Sequence, residues 1–221
     1  MGPLVDLLLP DRCAACGEGE ALVCASCRAA LRRLGPPLCA RCGAPTAWPV
    51  ERCAECAGRR LAFASARAAV AYEGPARRLV AAWKERGLRR LTEVAAELVV
   101  ETLPRPDVDA VAFVPGDRDR IGWRGQNTAE ALAGALARRW ELEVAPLLAR
   151  RGGPRQRGLS RAERRANVRG SFASAGPVVR RLALVDDVYT TGATAAAAAS
   201  ALRRNGTRAV HVVTFARAVR G

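Results

Sequence analysis

LALVDDVYTTGAT, residues 182–194, sets an apolar run, two carboxylates, a Thr-Gly turn and the start of an alanine-rich segment in direct succession. The apolar run reads as a buried strand, Arg181–Val188, and the alanine-rich segment as a helix, Thr194–Asn205, with Gly206 just past its end. A strand that passes through a short turn into a helix aims backbone N–H groups and the positive end of the helix dipole into one concavity, which suits a phosphate. Gly192 lets the backbone turn sharply there. Asp186 and Asp187 repel phosphate and suit ribose hydroxyls or a chelated Mg²⁺ instead. The run is neither GxxxxGK[ST] nor GxGxxG, so the common mononucleotide and dinucleotide loops are set aside.

Outward from this run the pattern alternates. Before it come a short buried strand at Asp109–Pro115, a helix at Asn127–Trp140 with Leu132, Leu136 and Trp140 on one face, and a second strand at Val144–Leu148. After it comes a last strand at Ala209–Ala216. Further upstream, residues 61–72 read as extended, and two helical patterns follow at Ala76–Arg86 and Leu88–Leu103. Alternating strands and helices predict a parallel α/β sheet with helices on both faces and ligands at the carboxyl ends of its strands.

The first sixty residues differ in kind. All eight cysteines lie between Cys13 and Cys56, as four C-x-x-C pairs: Cys13/Cys16, Cys24/Cys27, Cys39/Cys42 and Cys53/Cys56. A two-residue spacer puts both thiolates on one tetrahedral ion, and two pairs close a four-sulfur site. Eight thiolates make two structural zinc sites, with sequential and crossed pairing both open. Gly17 and Gly43 suit the turns after two of the pairs. Too few large apolar residues lie here to fold the segment alone; each metal supplies about 10–16 kcal/mol of folding energy. The expected division is a zinc module over 1–60 and an α/β domain over 61–221.

A formal charge of +15 calls for anionic partners, phosphate polymers first, or for strong solvation. Of 36 basic residues only Lys84 is a lysine, and it reads as a helix-surface charge. Segment 150–170 concentrates arginine, including Arg155, Arg157, Arg161, Arg164 and Arg165, and reads as a lid over pyrophosphate or a nucleic-acid backbone. Arg32, Arg33, Arg59 and Arg60 are a second basic set. His211 reads as a strand residue, Trp83 and Trp140 as core, and Trp123 as a possible base-stacking ring. No apolar run reaches the roughly 18–20 residues of a membrane span. Met1–Pro10 carries Asp6 and lacks the basic start of a secretory signal, so a cytoplasmic protein with reduced thiols is expected.

Residues 182–194 resemble the phosphoribosyl pyrophosphate loop of type I phosphoribosyltransferases. VPGDRDRIGWRGQNTAEALA (114–133), QRGLSRAERRANVRGSF (156–172), YEGPARRLVAAWKERG (72–87) and the eight cysteines narrow this to the ComF family, of competence and amidophosphoribosyltransferase-like proteins. Gly122, Gln126 and Thr128 depart from the usual Arg, aromatic and Gln of that pattern. The resemblance implies a type I phosphoribosyltransferase-like sheet behind a double zinc ribbon. It also implies that Asp186 and Asp187 take ribose hydroxyls and that Thr190, Thr191, Gly192, Ala193 and Thr194 take the 5′-phosphate. Pro115, Gly116, Asp117 and Arg118 form the pyrophosphate loop, with magnesium accompanying phosphoribosyl pyrophosphate. It further implies a part in DNA uptake, with single-stranded DNA and a DNA-translocating helicase as partners. The alternative is an enzyme that transfers the phosphoribosyl group to a nucleobase or amine; no catalytic residue is singled out for it.

Overall fold

A computed structural model of the chain describes residues 12–116, 127–150 and 171–219. Among them, the α/β part opens with β1 (Ser65–Ala71), α2 (Gly74–Glu85) and α3 (Leu91–Thr102). It continues through β2 (Ala110–Phe113), α4 (Thr128–Trp140), β3 (Leu148–Arg150) and β4 (Phe172–Ser174). It closes with β5 (Arg181–Tyr189), α5 (Ala193–Arg204) and β6 (Ala209–Arg217). A short helix, α1 (Ala25–Ala29), lies within the cysteine segment.

Four strands form one parallel sheet in the order β1-β6-β5-β2. The central strands are apolar on both sides because both faces are covered. Ala183 and Val185 of β5, with Val213 and Phe215 of β6, pack against α2, α3 and α4. Leu182 and Leu184, with Val210 and Val212, pack against α5. Trp83 is buried on the first face, its indole N–H donating to Thr92 Oγ1 at 3.1 Å, and Trp140 is buried in the same apolar cluster. Side-chain alternation changes phase past the acidic pair, so Val188 stays with the first face and Tyr189 turns to the second. The expected α/β architecture, with a cysteine module before a parallel sheet and helices on both faces, is borne out.

The expected second strand is not. Around Val144 the chain touches β2 through a single parallel bridge to Val111. Leu147, the next residue whose N–H would face β2, instead donates to Ala145 O at 2.8 Å in a tight turn centred on Pro146, and the chain leaves the sheet. Leu148–Arg150 then pairs antiparallel with β4 instead. The helix expected from Leu88 begins at Leu91, after a turn at Gly87.

The cysteine segment wraps the edge strand β1. Leu34 N–H donates to Ala69 O at 2.9 Å and Ala71 N–H to Arg32 O at 2.8 Å, so the stretch between the two cysteine clusters covers the free edge. Cys13 and Cys27 join the apolar cluster on the α2–α3–α4 face. Cys39, Cys42 and Cys56 join the one on the α5 face. Arg28 pairs with Glu97 and Glu101, and Arg33 with Glu101, tying the first cluster to α3. No helix among the described residues is long and apolar enough to cross a membrane.

Candidate functional site

The acidic pair sits at the carboxyl end of β5, next to the end of β2. Asp187 is buried, with Lys84 Nζ 2.7 Å from its Oδ1 and the Thr128 hydroxyl donating to its Oδ2. Lys84 comes from the end of α2 and Thr128 from the start of α4. Lys84 is therefore part of this site and not the helix-surface charge expected from sequence. Its charge on a helix was legible; only the packing of α2 on the sheet brings it to β5.

Asp186 differs. Its Oδ1 accepts the Asp187 backbone N–H at 2.9 Å. Burial, and then the neighbouring Asp187 charge, push its carboxyl up to about 8 despite the opposing pull of Lys84. The two acids thus divide: one is neutralised by a cation and a hydroxyl, the other is held back from ionising.

After Tyr189 the chain turns through exposed Thr190 and Thr191 to Gly192, which has φ 71° and precedes α5. A Cβ at Gly192 would lie 2.2 Å from Tyr189 Oη, so only glycine fits. Thr191 Oγ1 accepts the Ala193 N–H at 3.3 Å. The first N–H groups of α5, at Ala193, Thr194 and Ala195, have no carbonyl partner one turn earlier within the helix, an arrangement that suits an anion. Pro115 and Gly116 follow β2 on the same sheet end, where the Asn127 side chain caps α4 and donates to Val114 O. Asp117, Arg118, Trp123, Arg155, Arg157, Arg161, Arg164 and Arg165 lie outside the described residues.

Each cysteine cluster draws four sulfurs within 4.8 Å of one another: Cys13, Cys16, Cys24 and Cys27 in one, Cys39, Cys42, Cys53 and Cys56 in the other. This decides the pairing as sequential. Sulfurs of 3.7 Å (Cys16–Cys24), 3.6 Å (Cys39–Cys56) and 3.5 Å (Cys42–Cys53) separation match the roughly 3.8 Å edge of a tetrahedron with zinc–sulfur bonds of about 2.3 Å. Backbone N–H groups also serve the sulfurs, Cys24 N–H on Cys13 and Cys53 N–H on Cys39. Burial opposes ionisation of Cys13 and Cys39, yet such N–H groups outweigh it and hold both thiols down at about 6. Gly43 has φ 69°, and a Cβ there would meet Ala66 O at 2.3 Å, so the knuckle presses directly on β1. These donors fit zinc and leave no open coordination position for substrate.

Residues 4–57 match the double zinc ribbon domain family. Over nearly the whole chain the protein is similar to Competence protein F of Haemophilus influenzae, 28% identical over 209 residues, which is 89% of this chain and 90% of that one. It is also similar to DNA utilization protein YhgH of Escherichia coli K12, 29% identical over 225 residues, with 93% and 96% covered. The same protein of Salmonella typhi is 29% identical over 224 residues, with 93% and 96% covered. The resemblance to the ComF family is borne out. The eight cysteines thus carry the two structural zinc sites of a double zinc ribbon, and the acidic pair and Thr-Gly turn lie in the part of the chain that follows it.

Sequence reading missed three contributors. Lys84 and Thr128 meet Asp187 only through tertiary packing. Arg59, beside the last cysteine, donates to Thr191 O at 2.6 Å; its only sequence signal was charge.

Proposed function

We propose that this protein acts in DNA uptake, a reading supported by its similarity to a protein named for competence and to others named for DNA utilization, and that it binds a phosphoribosyl ligand and single-stranded DNA. Asp186 and Asp187 take the ribose hydroxyls, with Mg²⁺ accompanying a phosphoribosyl pyrophosphate. Thr190 to Thr194 take the 5′-phosphate. Pro115 and Gly116, with Asp117 and Arg118, face the pyrophosphate. Arg155, Arg157, Arg161, Arg164 and Arg165 contact the nucleic-acid backbone, a DNA-translocating helicase is the partner, and the cytoplasm is the site of action.

One observation carries the ligand reading: a carboxylate pair at the end of a parallel strand, followed at once by a glycine-dependent turn into a helix. Lys84 already neutralises Asp187, so Asp186 is the one of the pair with more freedom to meet hydroxyls or a cation. The test is a titration with phosphoribosyl pyrophosphate, with and without Mg²⁺, repeated in competition with single-stranded DNA. Mg²⁺-dependent binding is expected, weakened at least about tenfold by Asp186→Ala, or about 1.4 kcal/mol. Unchanged affinity in that variant rejects the site. Release of pyrophosphate in the presence of a nucleobase or amine would instead establish group transfer.

A further inference from the structure

The second cysteine cluster and the Thr-Gly turn are joined by two arginines. Arg217, 1% exposed at the end of β6, donates to Cys42 O and pairs with Glu55 Oε2 at 2.8 Å. Its guanidinium lies 4.8 Å from the centre of the Tyr189 ring. Tyr189 lies directly under Gly192, with Phe63 edge-on at 6.2 Å. The Tyr189 hydroxyl is buried with no hydrogen-bond partner among the described residues, so the ring is held by its contacts with Arg217 and Phe63. Arg59 reaches the same turn from outside, its Nη2 on Thr191 O at 2.6 Å and its Nη1 on Glu55 O at 3.4 Å.

The structure assigns Arg59 and Arg217 a positioning role: they make the conformation of the 190–194 turn depend on the second cysteine cluster. Planarity of the peptide supplies the reason. The carbonyl of Thr191 and the N–H of Gly192 point in opposite directions across one trans amide, so a guanidinium holding Thr191 O toward the ribbon aims the Gly192 N–H away from it. Arg217 fixes the floor of the same turn through Tyr189. Its anchors, Cys42 O and Glu55, belong to the ligand pairs Cys39/Cys42 and Cys53/Cys56, which a bound metal holds together. The second ribbon is thus a brace for the turn, whereas the first packs on the other face of the sheet.

The functional consequence rests on the proposal that this turn takes a phosphate, and the experiment separates the two. Full-length, metal-containing protein is compared with Arg59→Ala, Glu55→Gln and Arg217→Lys by amide hydrogen exchange and by titration with phosphoribosyl pyrophosphate and Mg²⁺. In Arg59→Ala and Glu55→Gln, exchange at Gly192–Thr194 should accelerate about tenfold while β5 and α3 keep their protection and zinc content is unchanged. Affinity for the probe should fall about tenfold. Exchange in the turn equal to wild type in both variants, or a rise spread evenly over the molecule, overturns the positioning role. If the wild-type protein takes no probe but the turn still responds, the brace stands and the phosphate reading falls. Should Arg217→Lys not fold, the other two variants, both at partly exposed side chains, carry the test.

Discussion

Asp186 and Asp187 are adjacent in sequence and opposite in circumstance. Asp187 has both oxygens engaged, by Lys84 and by Thr128. Asp186 is held near 8 by burial and by its neighbour. A carboxyl whose folded pKa exceeds its unfolded value, here 3.8, holds its proton more tightly in the folded state, so stability falls as pH rises between those values. The cost is fully present above about 8. Asp186→Asn should therefore raise the melting temperature at pH 8 and change it little at pH 4, while weakening the proposed ligand. Equal melting shifts at both pH values would show that Asp186 ionises freely. Such a substitution, stabilising yet inactivating, is what a binding site under electrostatic strain gives. The pair itself was legible in LALVDDVYTTGAT, but its division was not, because Lys84 and Thr128 lie far from it in sequence.

At the scale of elements, the cysteine segment clips β1 from both faces of the sheet. The stretch between the clusters lies along the strand edge, and ligands of each cluster sit in a different apolar cluster. Metal analysis of protein purified without chelator should find two zinc ions per chain. Chelation should unfold the ribbon and also lower the melting temperature of the α/β part, because it removes packing from both faces of the sheet and uncovers an edge. A fall confined to the ribbon would mean that β1 holds its place unaided. The spacing of the cysteines dictated two four-sulfur sites; their sequential pairing followed only from the fold, since spacing permits both. Pro146 shows the reverse case. An apolar run suggested a strand at 144–148, and a tight turn centred on Pro146, with Leu147 N–H on Ala145 O, ended the pairing after one bridge.

For the whole molecule the dominant quantity is the charge of +15. Within the ribbon several arginines are already matched by acids: Arg28 and Arg33 by Glu97 and Glu101, Arg32 by Glu73. Arg59 is turned to Thr191. That leaves less of the ribbon's charge for a nucleic-acid surface, and the proposed contact is segment 150–170. Single-stranded DNA should bind with little sequence preference, since phosphates carry none. With about four phosphates neutralised at roughly −0.7 each, log affinity should fall with log salt at a slope near −3. Replacing Arg155, Arg157, Arg164 and Arg165 by Gln should flatten that slope and leave zinc content unchanged. A steep slope in that variant would move the contact elsewhere on the chain.

By itself the sequence determined what is written in local pattern: alternating strands and helices, four cysteine pairs, a carboxylate pair before a glycine turn. Each depends on neighbours within a few residues, through side-chain periodicity, ligand spacing or a backbone angle. Tertiary structure alone decided which distant groups meet. It set Lys84 and Thr128 on Asp187, paired the cysteines, sent Leu148–Arg150 to β4, brought Arg59 from the ribbon to the turn, and set Arg217 of β6 between Tyr189 and the second cysteine cluster. Those meetings depend on how helices and ribbon pack across the sheet, and a charge on a helix carries no mark of the strand it will face.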